Sequence, residues 1–154
     1  MLSSTMRLNR QTYALTAVAF ERRRIFQRAS NAELLIDTML RYRDGGRFLL
    51  HGFAVMPDHL HILLSPTESI EKAAQLVKGG FSFAVRKQYA GEIWQPGYFA
   101  HRITDVEDYA AQVQYIANNP LRRGYADYPY VHTSGAWRLD EAPAPASKET
   151  SPRP

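Results

Sequence analysis

The chain has 154 residues, 45% of them hydrophobic and 22% charged, which suits one globular domain with a buried core. It contains no cysteine, excluding disulfides and thiolate chemistry, and no apolar run approaches the roughly 20 residues of a membrane span. The net charge of +4, with arginines clustered at Arg22-Arg23-Arg24 and Arg122-Arg123, suits a nucleic-acid partner as well as a merely solvated basic surface.

The opening stretch, MLSSTMRLNRQTYALT, lacks the apolar centre of a secretory leader, and with the absence of cysteine this predicts a cytoplasmic protein. YALTAVAF (13–20) reads as a strand. SNAELLIDTMLRYR (30–43) reads as a helix with Ser30 as N-cap and a stripe of Leu34, Leu35, Thr38, Met39 and Tyr42, ended by Gly45-Gly46. RFLLHGFAVM (47–56) and HLHILLS (59–65) form two strands around a two-residue Pro57-Asp58 turn, which sets Met56 opposite His59 and Ala54 opposite His61. His51 shares the parity of Phe53 and Val55 and reads as structural.

SIEKAAQLVKGGFSFAVRKQYA (69–90) is a second helical stretch, weakened at Gly79-Gly80. IWQPGYFAHRIT (93–104) yields an edge strand ending near Ile103. A third helix spans about Asp105 to Asn118, capped by Asp105 and stopped by Pro120, with Val106, Tyr109, Ala110, Val113, Ile116 and Ala117 as its core side. The order β-α-β-β-α-β predicts an α+β, ferredoxin-like and RRM-like sandwich, an antiparallel sheet with helices packed on one face. One domain is expected over residues 1–139, followed by a Pro/Ala/Ser-rich disordered tail over 140–154.

Two features bear on chemistry. His59 and His61 alternate along a strand, so both imidazoles project from one face and could grip one metal ion. Tyr115 sits opposite Val106 on the third helix, with Asn119 one turn further along. Single surface tyrosines are common, yet a phenol beside a metal is a possible nucleophile and the amide a possible third ligand.

His59-Leu60-His61 within MPDHLHILLSP resembles the His-hydrophobic-His (HUH) signature of the IS200-type single-tyrosine transposases. YIANNPLRRG and IWQPGYFAHRI resemble the tyrosine segment and the intervening aromatic block of the REP-associated tyrosine transposases. The likeness covers roughly residues 10 to 135, and Ala100 departs from it where an acidic residue is usual. It implies an HUH-type single-stranded DNA endonuclease and strand transferase. In that scheme His59, His61 and Asn119 hold magnesium or manganese, and Tyr115 forms a covalent 5′-phosphotyrosine.

The implied partner is single-stranded or hairpin DNA, REP palindromes with a flanking tetranucleotide, bound by a monomer in preference to a dimer and without a membrane. Candidate DNA contacts are Arg22, Arg23, Arg24, Lys78, Arg86, Lys87, Arg122 and Arg123, with Trp94, Tyr98 and Phe99 as candidate stacking platforms. The alternatives are a mobile insertion-sequence transposase of the same chemistry and a nucleic-acid-binding module that does not cut.

Overall fold

The computed structural model describes residues 7–122, 124, 129–133 and 138–146. Strands β1 (Arg7–Val18), β2 (Phe48–Met56), β3 (His59–Pro66), β4 (Phe99–Asp105) and β5 (Val131–His132) form one antiparallel sheet in the spatial order β4-β1-β3-β2-β5. Helices α1 (Ala29–Asp44) and α2 (Ile70–Ala84) connect strands in the ferredoxin-like manner, and α3 (Val106–Arg122) follows β4. Among the described residues no helix is long and apolar enough to cross a membrane.

Alternate strand residues face opposite ways and build two cores. Leu15, Phe53, Val55, Leu60, Ile62 and Leu64 join α1 and α2 in the larger one, where Phe26 lies 5.2 Å from Phe81 and 5.4 Å from Trp94 between ring centroids. The two helices come close at Gly80, where an added Cβ would lie 2.8 Å from the Tyr42 hydroxyl. The glycine read as a weakness is what lets them meet. Thus α1 and α2 share one face, as expected, whereas α3 covers the other, with Ile116 buried against Ala54, Met56, Leu63 and Ile103.

Several local expectations are corrected. Helix α1 starts at Ala29 with Arg28 in the cap position and no side-chain cap bond, so Ser30 lies inside it. Helix α3 runs through Pro120 to Arg122, because a proline in the last turn forfeits one hydrogen bond and is itself buried. Val106 is 37% exposed. The face that α3 turns to the sheet keeps Tyr109, Val113 and Ile116 of the expected set and adds the buried Asn119. A register shift between Leu50 and Gly52 turns His51 to the α3 side, with Nε2 2.8 Å from Ser65 Oγ and the ring edge-on to Tyr109.

The stretch 140–146, expected to be disordered, is held by the fold. The Asp140 N–H donates to the Leu50 carbonyl, its carboxylate accepts from the Leu50 N–H and from Arg43, and Ala144 and Ala146 bond to Asn9 and Arg7. These are backbone bonds and contacts of the single Asp140 carboxylate, which leave no periodic trace in a Pro/Ala-rich sequence. Residues 147–154 lie outside the described residues.

Candidate active site

The tight hairpin sets the first half of the site. Met56 pairs with His59 and Ala54 with His61, the register a two-residue turn dictates. Both imidazoles therefore face α3, with ring centroids 4.7 Å apart and planes at 80°. Across the sheet, β1 brings Thr16 opposite His61, and its Oγ1 lies 2.8 Å from His61 Nδ1. His59 Nδ1 lies 2.7 Å from Asp58 Oδ1, while Asp58 Oδ2 accepts from Arg22 at 3.2 Å.

Arg22 reaches Asp58 from a bent segment. Glu21 and Arg22 have φ of 54° and 53°, left-handed conformations that cost non-glycine residues about 1 kcal/mol or more each. Such strain concentrates where a side chain must be aimed. Here it aims a guanidinium at the histidine turn.

Helix α3 supplies the other half. Tyr115 is 47% exposed, and its ring lies 5.5 Å from that of His61 at 82°. Asn119, one turn on, is 4% exposed, and its Oδ1 has no hydrogen-bond partner among the described residues. A buried amide oxygen left unpaired costs roughly 1–3 kcal/mol, a penalty that a bound cation would relieve. Thr16, Val18, Arg22, His59, His61, Phe99, Tyr115 and Asn119 line a cleft of about 360 Å³.

Two imidazoles and a neutral amide oxygen are a fitting donor set for a divalent ion that keeps open positions. Among the described residues no group of three or more His, Cys, Asp or Glu is gathered for a metal. Asn119 is therefore what raises the set in this cleft to three.

Of the expected basic contacts, Arg22 alone lines the cleft among the described residues. Arg23 donates to the carbonyls of Phe20 and Glu92, and Lys78 Nζ donates to those of Gln95 and Gly97 at 3.2 and 2.6 Å. These two cations tie down the loop before β4, and partial burial lowers the pKa of Lys78. Arg86 donates to Phe83 and stacks 3.8 Å over its ring. Arg24 and Lys87 are exposed, while the Arg122 side chain and Arg123 lie outside the described residues.

Trp94 is buried with Phe26 and Phe81 and donates its indole N–H to the Lys78 carbonyl, so it is a core residue and no stacking platform. Tyr98 packs on the same core. Phe99, 74% exposed, lines the cleft. Sequence reasoning missed Thr16 and the orienting role of Asp58. The first depends on a cross-sheet register with no sequence mark, but the second was in view as a carboxylate directly preceding His59.

Over 105 residues the chain is 25% identical to the REP-associated tyrosine transposase of Escherichia coli K12, covering 64% of this chain and 62% of that protein. A Haemophilus influenzae Rd protein given the same description provisionally is 32% identical over 94 residues, 49% of this chain and 53% of that one. The chain thus spans between about half and three fifths of the length of these relatives. The solved structure of a REP-associated tyrosine transposase bound to a REP hairpin shares the fold, with a TM-score of 0.71 and 20% identity over 96% of this chain and 92% of that one. The family described as "Transposase IS200 like" matches residues 7–119, most of the chain, and the chain belongs to that family.

Proposed function

We propose that the protein is a metal-dependent single-stranded DNA endonuclease and strand transferase acting on REP-type hairpin DNA, with Tyr115 as its nucleophile. The observation that supports this most is convergence within one chain: the Tyr115 ring 5.5 Å from His61, His61 4.7 Å from His59, and the unpartnered buried oxygen of Asn119 in the same cleft. Because one chain supplies every part, a monomer suffices. The hairpin bound by the solved relative supports the substrate class.

Thr16 and Asp58 hold the Nδ1 atoms of His61 and His59, so each ring would present Nε2 to the metal, with Asn119 Oδ1 as the third protein ligand. Bound magnesium or manganese would draw charge from a non-bridging oxygen of the scissile phosphate as that charge builds. Arg22, fixed by Asp58, adds a guanidinium to the same cleft and favours a phosphate there.

The exposed phenol of Tyr115 attacks phosphorus in line. The phenol gives up its proton as its O–P bond forms and the P–O3′ bond breaks, leaving the 5′-phosphate on Tyr115, while the departing 3′ oxygen takes up a proton. A phosphoester has replaced a phosphoester, so an incoming 3′-hydroxyl can reverse the step and join strands without ATP.

The test uses the protein, manganese and a labelled hairpin with a single-stranded flank. A denaturing gel is expected to show a covalent protein–DNA band that Tyr115→Phe abolishes while hairpin binding stays within about twofold, since the phenol hydroxyl is a small part of the contact. Adduct at full yield in Tyr115→Phe would overturn the assignment.

A further inference from the structure

Tyr115 adjoins a second cavity of about 300 Å³ that shares Thr16, His61, Phe99 and Tyr115 with the cleft and adds His101 and Gln112. A strand attacked at one phosphate continues from it in both directions, so a cutting site must receive a nucleotide on each flank. The cleft at Asn119 offers one seat and this cavity the other.

The second cavity has a built polar wall. Asp108, Gln112 and Tyr115 follow at i, i+4 and i+7 along α3, on one side of the helix. Phe99 and His101 share a face of β4 by strand alternation. Asp108 joins the two elements: its Oδ2 lies 2.6 Å from His101 Nε2, and its Oδ1 accepts from Gln112 Nε2 at 3.3 Å. Asp108 is itself fixed, since its backbone N–H donates to Asp105 Oδ1 at 2.8 Å.

One carboxylate thus orients a ring and an amide, presenting His101 Nδ1 and Gln112 Oε1 beside the exposed Phe99 ring. An aromatic face next to a fixed set of hydrogen-bonding atoms is the chemistry that recognises an unpaired base.

We propose that this cavity holds the unpaired nucleobase flanking the phosphate attacked by Tyr115, with Phe99 stacking on it, His101 and Gln112 reading its edge, and Asp108 as their positioning residue. The inference rests on the nuclease reading and goes further, assigning sequence preference at the cut to a named pocket.

The test begins by mapping the cut phosphate, then measures adduct formation on hairpin oligonucleotides carrying each of the four bases at either flank. For the unchanged protein, best and worst base at one flank are expected to differ by about tenfold or more, the scale of a base-edge hydrogen-bond pair. In His101→Ala and Gln112→Ala that ratio falls to about twofold or less, while preference at the other flank persists. Asp108→Asn, which alters the charge that orients both groups, falls between.

Preference retained in both alanine variants would overturn the inference, as would an unchanged protein indifferent at both flanks. Adduct lost on all sequences by folded variants would indicate a part in the chemistry rather than base reading, and would also overturn it. No adduct from the unchanged protein would overturn the nuclease reading itself, and this inference with it.

Discussion

The Thr16 hydroxyl lies 2.8 Å from Nδ1 of His61, its direct partner across the β1–β3 pairing. A metal-facing imidazole depends on such a contact, which fixes its ring orientation and, with the hydroxyl accepting from Nδ1–H, leaves Nε2 free. Thr16→Val keeps the shape and removes the partner. It is expected to weaken manganese affinity by about tenfold to a hundredfold, whereas Thr16→Ser stays near the original. Titration by electron paramagnetic resonance measures this, and equal affinity in Thr16→Val would show that His61 does not depend on the contact.

Stability should follow pH in two windows. Burial lowers the pKa of His51 below the ordinary 6.5, and that of His132 likewise. For a histidine with a depressed folded pKa, the unfolded chain takes up the proton first. Stability is therefore full above 6.5 and declines as pH falls towards the folded pKa. Burial alone would raise the pKa of Asp140, but hydrogen bonds from Arg43 and the Leu50 N–H outweigh it and hold the pKa below 3.8. Its contribution is present above 3.8 and is lost as pH falls below that value. The Tm should drop between about pH 7 and pH 5, and less steeply in His51→Gln; parallel slopes would clear His51 of the effect.

Two adjacent glycines of α2 should respond differently to alanine. Among the described residues nothing lies within 4 Å of a Cβ added at Gly79, so Gly79→Ala gains helix propensity, about 0.5–1 kcal/mol. At Gly80 the added Cβ meets Tyr42 atoms at 2.8 and 2.9 Å and Thr38 Cγ2 at 3.0 Å. Overpacking of about 1–3 kcal/mol then offsets or exceeds the same gain. Urea unfolding should place Gly80→Ala at least about 1 kcal/mol below Gly79→Ala; equal stabilities would contradict the close approach of α1 and α2.

The strap over 140–146 makes a third stability prediction. Asp140 receives both the Nε and a terminal nitrogen of Arg43, at 3.1 and 3.0 Å, as well as the Leu50 N–H at 2.8 Å. Asp140→Ala is expected to cost about 1–2 kcal/mol, the lower range for charged hydrogen bonds because both side chains are partly exposed. It should also speed hydrogen exchange at the amides of Asn9, Asp140 and Ala146. Exchange at random-coil rates in the unchanged protein would contradict a bound strap.

The parts of the site written locally were the legible ones. A two-residue turn fixes register, so Pro57-Asp58 alone determines which residues flank His59 and His61. The i+4 spacing likewise ties Asn119 to Tyr115. What the helix pattern misjudged was rotation. Val106 and Ala110 were assigned to the core side, yet both are exposed, while Tyr109 between them packs on the sheet. Asn119 is buried because α3 lies across the face bearing the histidines, a choice of face that no sequence period encodes. Thr16, β5 and the 140–146 strap depend on long-range strand partners, and these leave no local signature.

The most direct measurement is to locate the covalent bond. After reaction with manganese and a hairpin oligonucleotide, the protein is digested with nuclease and protease and the modified peptide is sequenced by mass spectrometry. The account predicts a 5′-linked nucleotide on Tyr115 of the chain whose own His59 and His61 are intact, and none in a mixture of Tyr115→Phe with His61→Ala chains. A nucleotide on another residue, or an adduct restored by that mixture, would contradict a nucleophile and imidazoles assembled within one chain.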